Sequence, residues 1–333
     1  NHVIAANEGT ALGISMGYHL SSEKIPLIYM QNSGLGNFVN PYTSLVHKDI
    51  YDIPFVLLVG WRGEPGIQDE PQHIFQGKIT LELLNLLEIN YVIVDEHTDL
   101  YFLINKIKES IDSDKPIAVV VRKNTFEKDK RVFENNLSLP ERKKALKKII
   151  NIFGEQTVFI STTGKLSREL YELRKNSGNL SNDLYVVGGM GHASSIAYGI
   201  TQNLSDSTVV CLDGDGALLM HMGALGIIGQ SNLKNFVHVI FNNSSHESVG
   251  GQPNIYKHID VKELAKSFGY KQIIITDDIE ELSHLNTSNL NGPVFIDIKV
   301  QNYSDRNLLR PDKTPKENKN NFMKKVRDVS KNN

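Results

Sequence analysis

A single cysteine, Cys211, stands in a chain of 333 residues. It permits no intrachain disulfide and no thiolate metal cluster, and so favours a reducing cytosol. Its place inside an apolar run points to plain packing. Tryptophan is equally scarce, with Trp61 alone. No apolar run approaches the roughly 20 residues of a membrane span. Neither charge sign dominates: 36 Lys and Arg against 38 Asp and Glu leave a formal net charge of -2, which gives nucleic acid no basic footprint. No Gly-x-Gly-x-x-Gly turn follows the first strand of either half, which disfavours a dinucleotide-binding oxidoreductase. What remains is an ordinary globular balance, 40% hydrophobic and 22% charged, expected to act on a small molecule.

The apolar runs alternate with amphipathic stretches almost from the first residue. Strands are expected at 2–6, 26–30, 54–59, 91–94 and 117–121, and helices at 8–20, 38–47, 73–87 and 98–111. Residues 1–122 thus read as one doubly wound parallel-sheet domain. Charged and Asn-rich residues 123–139 read as a linker. The alternation then restarts over 140–300, with strands at 157–161, 184–187, 209–212, 236–241 and 294–300 and helices at 141–152, 165–176, 193–202 and 217–229. The fold class is α/β, two such domains in tandem. Residues 301–333 form a C-terminal extension, expected to be solvated beyond Met323.

One stretch carries chemistry on its face. Leu212-Asp213-Gly214-Asp215-Gly216 ends a strand, and Phe241-Asn242-Asn243-Ser244-Ser245 ends the next one. A right-handed crossover sets both strand ends on one sheet edge, so Asp215 and Asn243 arrive together. Their oxygens suit a hard cation such as Mg2+, which shares octahedral positions with phosphate. Gly214 and Gly216 let the backbone come close, and the N–H groups that open the next helix, at Gly216 and Ala217, suit a phosphate oxygen. Gly-Asp-Gly alone is commonly just a turn; the Asn pair is what tips the reading toward a diphosphate with its metal.

That combination resembles the signature of the thiamine diphosphate-dependent enzymes. The resemblance implies the thiamine diphosphate-binding fold, with one pyrimidine-binding (1–122) and one diphosphate-binding (140–300) domain. It gives Asp215, Asn243 and the backbone carbonyl of Ser245 to the metal. Asn7-Glu8-Gly9 sits where the family places the glutamate that bonds the pyrimidine N1′, although an acidic residue at a helix start also has a purely structural use. Gly188-Gly189-Met190-Gly191-His192 implies a carbonyl acceptor at Gly188 for the 4′-amino group, close backbone approach at Gly191, and an apolar wedge at Met190 that keeps the cofactor bent. The family builds its site between domains of different subunits, which implies at least a homodimer.

Further stretches resemble the compact phosphonopyruvate decarboxylases: 29–37 (YMQNSGLGN), 59–66 (VGWRGEPG), 69–73 (DEPQH) and 248–253 (SVGGQP). By that likeness the chain decarboxylates 3-phosphonopyruvate to phosphonoacetaldehyde and CO2 in phosphonate biosynthesis. A phosphonate demands cations or N–H donors. Arg62, His73, His246, Ser248 and the Gly250-Gly251 amides are candidates, with His246 also suited to proton donation after CO2 loss. Each candidate has an ordinary alternative as a surface ion pair or a satisfied hydrogen-bonder. Glu247 stands where the family pattern leads one to expect Asp, and Ser244 where it leads one to expect Gly. The chain opens at Asn1 without the helix and strand the family carries before that position, and a truncated N-terminus is therefore expected. The rivals are sulfopyruvate decarboxylase and a catalytically silent thiamine-fold binding protein.

Overall fold

A computed structural model of the chain describes residues 2–127, 135–154, 157–178, 183–204, 207–303, 305 and 307–331, apart from the side chains of Ser248 and Lys331. The chain divides into two compact units, Asn1–Lys130 and Arg131–Asn333. Both are parallel α/β layers.

The first unit runs α1 (Glu8–Ser22), β1 (Leu27–Gln31), α2 (Leu35–Pro41), β2 (Val56–Gly60), α3 (Pro71–Leu86), β3 (Asn90–Val94), α4 (Leu100–Ile111) and β4 (Ile117–Val121). Its sheet has the order β1-β2-β4-β3, every pair parallel. Alternation along the strands divides the side chains between two faces. Leu57, Val59, Ala118 and Val120 pack with Leu12, Phe38 and Leu84 from α1, α2 and α3. Val119 and Val121 turn the other way, with Leu103 and Ile107 of α4 packed against them. That two-sided burial is why these strands read as continuous apolar runs.

The second unit runs α5 (Arg142–Phe153), β5 (Val158–Ser161), α6 (Lys165–Asn176), β6 (Leu184–Tyr185), α7 (Ala193–Thr201), β7 (Val209–Gly214), α8 (Asp215–Met220), α9 (Ala224–Gln230), β8 (Phe236–Asn242), α10 (Val261–Phe268), β9 (Gln272–Thr276), β10 (Val294–Lys299) and α11 (Pro315–Lys331). Its six strands lie in the order β6-β5-β7-β8-β10-β9. Phe159, Val210, Val239 and Ile296 face Leu146 and Leu170 of α5 and α6. Ile160, Cys211, Phe236 and Phe295 face Ala197, Leu225 and Ala265 of α7, α9 and α10. Cys211 is a free, buried thiol, as its apolar surroundings lead one to expect.

Several sequence expectations are corrected. The strand at 2–6 does not form: among the described residues no neighbour pairs with it, and Val3 is exposed. The helix expected at 38–47 starts earlier, at Leu35, and after Pro41 widens into a π-turn, Tyr42–Val46. The helix expected at 217–229 is two, because His221 leaves the helical region with φ -136 and ψ 48. The tail is not solvated beyond Met323: α11 packs Phe322 and Val326 on the core, and Lys325 donates to the Thr157 carbonyl at 2.8 Å. Residues 128–134 of the expected linker lie outside the described residues. Among the described residues no helix is long and apolar enough to cross a membrane.

Candidate active site

In the second unit the strand ends converge. The registers Ser161↔Tyr185, Ser161↔Leu212 and Gly214↔Phe241 bring the C-terminal ends of β6, β5, β7 and β8 side by side. Parallel sheets place ligands at that edge. Four turns leave it, at 162–164, 187–191, 213–216 and 242–245. The first three are stitched at their bases: Val186 N–H donates to the Ser161 carbonyl at 3.0 Å, Thr163 Oγ1 to the Val187 carbonyl at 2.8 Å, and Thr162 N–H to the Leu212 carbonyl at 2.8 Å. The Thr162-Thr163-Gly164 turn belongs to this edge and was not singled out from sequence. Its signal was small polar residues and a glycine directly between a strand and an amphipathic helix.

Asp215 is 3% exposed. Its Oδ1 accepts from Gly216 N–H at 2.8 Å and its Oδ2 from Asn254 Nδ2 at 3.1 Å. Both partners are neutral. Burial, which the nearby Asp297 reinforces, pushes its carboxyl up to about 6. Ser245 Oγ, two residues beyond Asn243, is buried without a hydrogen-bond partner. A buried carboxylate without a countercharge, an orphaned hydroxyl and a nearby amide oxygen form a donor set that fits a hard divalent cation. Asn243 Oδ1 accepts Ser245 N–H at 3.1 Å, which shapes the turn. Ser244 takes a left-handed φ of 54, where glycine is the easy residue; its N–H and Oγ both bond Asn242 Oδ1, at 3.1 and 3.0 Å.

The glycines mark where other groups press in. A Cβ on Gly216 would lie 3.0 Å from His246 Nδ1 and 3.3 Å from Met190 Cε, so three residues singled out from sequence meet here. A Cβ on Gly191 would lie 2.6 Å from His221 Cδ2 and 2.9 Å from the Ala217 carbonyl. The turn carrying Gly188 and Met190 therefore seats directly on α8. The His246 ring makes no hydrogen bond to another described residue, and burial lowers its pKa, favouring the neutral imidazole. The Gly251 amide is corrected as a ligand donor: it is committed to the His246 carbonyl at 3.0 Å. The Ser248 side chain lies outside the described residues.

In the first unit Glu8 is the first residue of α1, after Asn7, whose side chain caps Thr10 N–H at 2.9 Å. Asn37 Nδ2 donates to Glu8 Oε2 at 2.8 Å. A Cβ on Gly34 would meet Glu8 Cγ, Oε1 and Cδ at 2.4 to 2.6 Å, so the carboxyl lies flat on that glycine. Gly34 and Asn37 belong to a stretch quoted from sequence, without this role. Arg62 is already partnered. Its Nε and Nη2 donate to the two oxygens of Asp69 at 2.7 and 2.5 Å, and Asp69 also accepts Gly63 N–H at 2.9 Å. The hydrogen bonds from Arg62 hold the Asp69 carboxyl well below the usual range. Two of the three guanidinium nitrogens are thus spent inside the loop. His73 has its pKa lowered, first by burial and then by the charge of Arg62.

The comparisons with known proteins agree with this geometry. Residues 160–298 match the thiamine pyrophosphate enzyme C-terminal TPP binding domain, the segment that holds all four turns. Phosphonopyruvate decarboxylase of Streptomyces viridochromogenes is 31% identical over 95% of this chain and 83% of its own length. Sulfopyruvate decarboxylase of Methanosarcina acetivorans is 27% identical over 79% of this chain and 71% of its own length. The sulfopyruvate decarboxylase subunit beta of Methanocaldococcus jannaschii is 38% identical, over 43% of this chain and 73% of its own length. With the binding-domain match at the converging turns and a relative that runs almost end to end, the chain belongs to the phosphonopyruvate decarboxylase family of thiamine pyrophosphate-dependent decarboxylases.

Proposed function

We propose that the protein decarboxylates 3-phosphonopyruvate to phosphonoacetaldehyde and CO2, with thiamine diphosphate and Mg2+, as a step of phosphonate biosynthesis. The observation that carries this reading is the likeness to a phosphonopyruvate decarboxylase over 95% of this chain and 83% of that relative, at higher identity and coverage than the single-chain sulfopyruvate relative. The 38% identity to a sulfopyruvate decarboxylase subunit keeps the sulfonate analogue as the second reading.

Thiamine diphosphate, when bound, supplies an electron sink for the pair of electrons that CO2 leaves behind. The chain's residues then divide the work. Asp215, Asn243 and the Ser245 carbonyl hold Mg2+, while the amides of Gly216 and Ala217 and the open backbone at Gly214 take diphosphate oxygens. The Gly188 carbonyl accepts from the 4′-amino group, Gly191 gives the turn its close approach, and Met190 presents an apolar surface. Glu8, oriented by Asn37, holds a proton at the pyrimidine N1′. His246, neutral through burial, relays a proton from solvent to the carbon that lost CO2, taking one up at one ring nitrogen as it gives one from the other. Arg62 offers the substrate's anionic group its remaining Nη1 from a fork that Asp69 has fixed in place. The site is built by the first unit of one copy and the second unit of another, in at least a homodimer. A reducing cytosol suits the single buried thiol.

The test is CO2 release from phosphonopyruvate, sulfopyruvate and pyruvate by the same preparation with thiamine diphosphate and Mg2+. Phosphonopyruvate is expected to lead in kcat/KM by at least about tenfold, a margin of roughly 1.4 kcal/mol in transition-state binding. A lead for sulfopyruvate would replace the phosphonate reading with the sulfonate one.

A further inference from the structure

The loop that carries His246 is closed on itself. His246 N–H donates to the Gln252 carbonyl at 2.9 Å, and the His246 carbonyl accepts from Val249 at 3.1 Å and Gly251 at 3.0 Å. Those bonds shape the loop without deciding where it rests against the helices behind it. Glu247, one residue past His246, reaches out of the loop to two cations. Arg142 Nη1 donates to Glu247 Oε2 at 2.8 Å, and Lys165 Nζ to Glu247 Oε1 at 2.9 Å. The Arg142 side chain is 8% exposed and spends its other edge on Glu169 of α6, at 2.8 and 2.9 Å. Two carboxylates and two cations therefore close a neutral, largely buried cluster that joins α5, α6 and the His246 loop.

We propose that Glu247 is a positioning residue, whose carboxylate, gripped by Arg142 and Lys165, fixes the His246 imidazole over Gly216 and beside Met190. Resting on the functional reading above, this gives His246 a second support besides its own loop. Lys165 opens α6 directly after the Thr162-Thr163-Gly164 turn, so the grip ties the helix that follows one site turn to the loop that follows another. The side-chain length matters. Each oxygen of Glu247 serves a different cation, and the aspartate that family resemblance leads one to expect at this position is one methylene shorter. A Cβ on Gly216 would lie 3.0 Å from His246 Nδ1 and 3.3 Å from Met190 Cε, so a shift of the loop moves the ring relative to both.

The experiment compares the wild-type chain with Glu247→Gln, Lys165→Met and Lys165→Arg by amide hydrogen exchange and by steady-state kinetics. In Glu247→Gln and Lys165→Met the His246, Val249 and Gly251 amides are expected to exchange about tenfold faster, with β8 amides unchanged and Lys165→Arg close to wild type. In the same two variants kcat falls about tenfold while KM for the 2-oxo acid stays within about twofold, and Lys165→Arg retains kcat. Loop amides that exchange at the wild-type rate in both variants would overturn the proposal. So would a loosened loop with undiminished kcat. The exchange result does not depend on turnover, so a wild type that released CO2 from no 2-oxo acid would count against the functional reading alone. Lys165→Met, at a side chain one third exposed, covers the case in which Glu247→Gln fails to fold.

Discussion

Gly34 shows how a missing side chain fixes a present one. Its φ of -74 is ordinary right-handed helix, so alanine is conformationally welcome there, yet a Cβ would press into Glu8 within 2.6 Å. The group in the way is the far part of a flexible side chain, so Glu8 yields and the backbone stays. Gly34→Ala is therefore expected to fold with a Tm within a few degrees of wild type and to turn over like Glu8→Gln, with kcat down at least about 100-fold. Cofactor affinity, read by isothermal titration with Mg2+ present, should stay within about threefold for both variants. An alanine variant with wild-type kcat would show that the Glu8 carboxyl need not lie where Asn37 now holds it. Arg62 presents the opposite case, since the sequence offered it as a substrate cation or an ion-pair partner alike, and it is held by Asp69 seven residues on. No local pattern announces such a pairing, because it depends on the path of the loop between them.

At the level of elements, α11 is where composition misleads most. Its Lys and Asn residues read as a solvated tail, and the two side chains that dock it, Phe322 and Val326, are only one apolar stripe four residues apart. Asn318 adds what hydropathy cannot see, donating to the Asp183 carbonyl at 2.8 Å and accepting Tyr185 N–H at 3.1 Å, which covers the outer edge of short β6. Phe322, 6% exposed, should cost about 3–4 kcal/mol when cut to alanine, against nothing measurable for the exposed Asn320→Ala. Urea unfolding with an unchanged m-value decides it, and equal midpoints for the two variants would return α11 to solvent. The parallel strands were legible because burial on both faces makes them continuous apolar runs. The position of Asp215 was legible because it stands between two glycines where a strand passes into a helix. The strand expected at 2–6 failed because a strand exists only with a partner to bond. The break at His221 was hidden because Leu218, Leu225 and Ile228 keep helical spacing across it. In the Glu247 cluster Arg142 and Lys165 stand 105 and 82 positions from Glu247, beyond the reach of any spacing rule.

For the whole molecule, the proposed assembly of at least two copies is what remains to be tested. The first unit leaves Ile14 and Tyr18 of α1 and Leu27 and Tyr29 of edge strand β1 between 41% and 62% exposed, apolar surface of the kind a second copy covers. Glu8 belongs to the first unit and Asp215 to the second, so subunit mixing separates the alternatives. Glu8→Gln and Asp215→Ala homodimers are each expected to be inactive. If every site pairs the first unit of one copy with the second unit of the other, a heterodimer of the two variants contains one doubly altered site and one with neither substitution. Random exchange in an equal mixture makes half of the dimers mixed, each with one working site, so about a quarter of wild-type activity should return. Sites built within one chain carry one lesion each in every combination, and mixing would restore nothing. Native mass spectrometry of the same mixture confirms that exchange has taken place, so a silent mixture that contains heterodimers would place both halves of the site in a single chain.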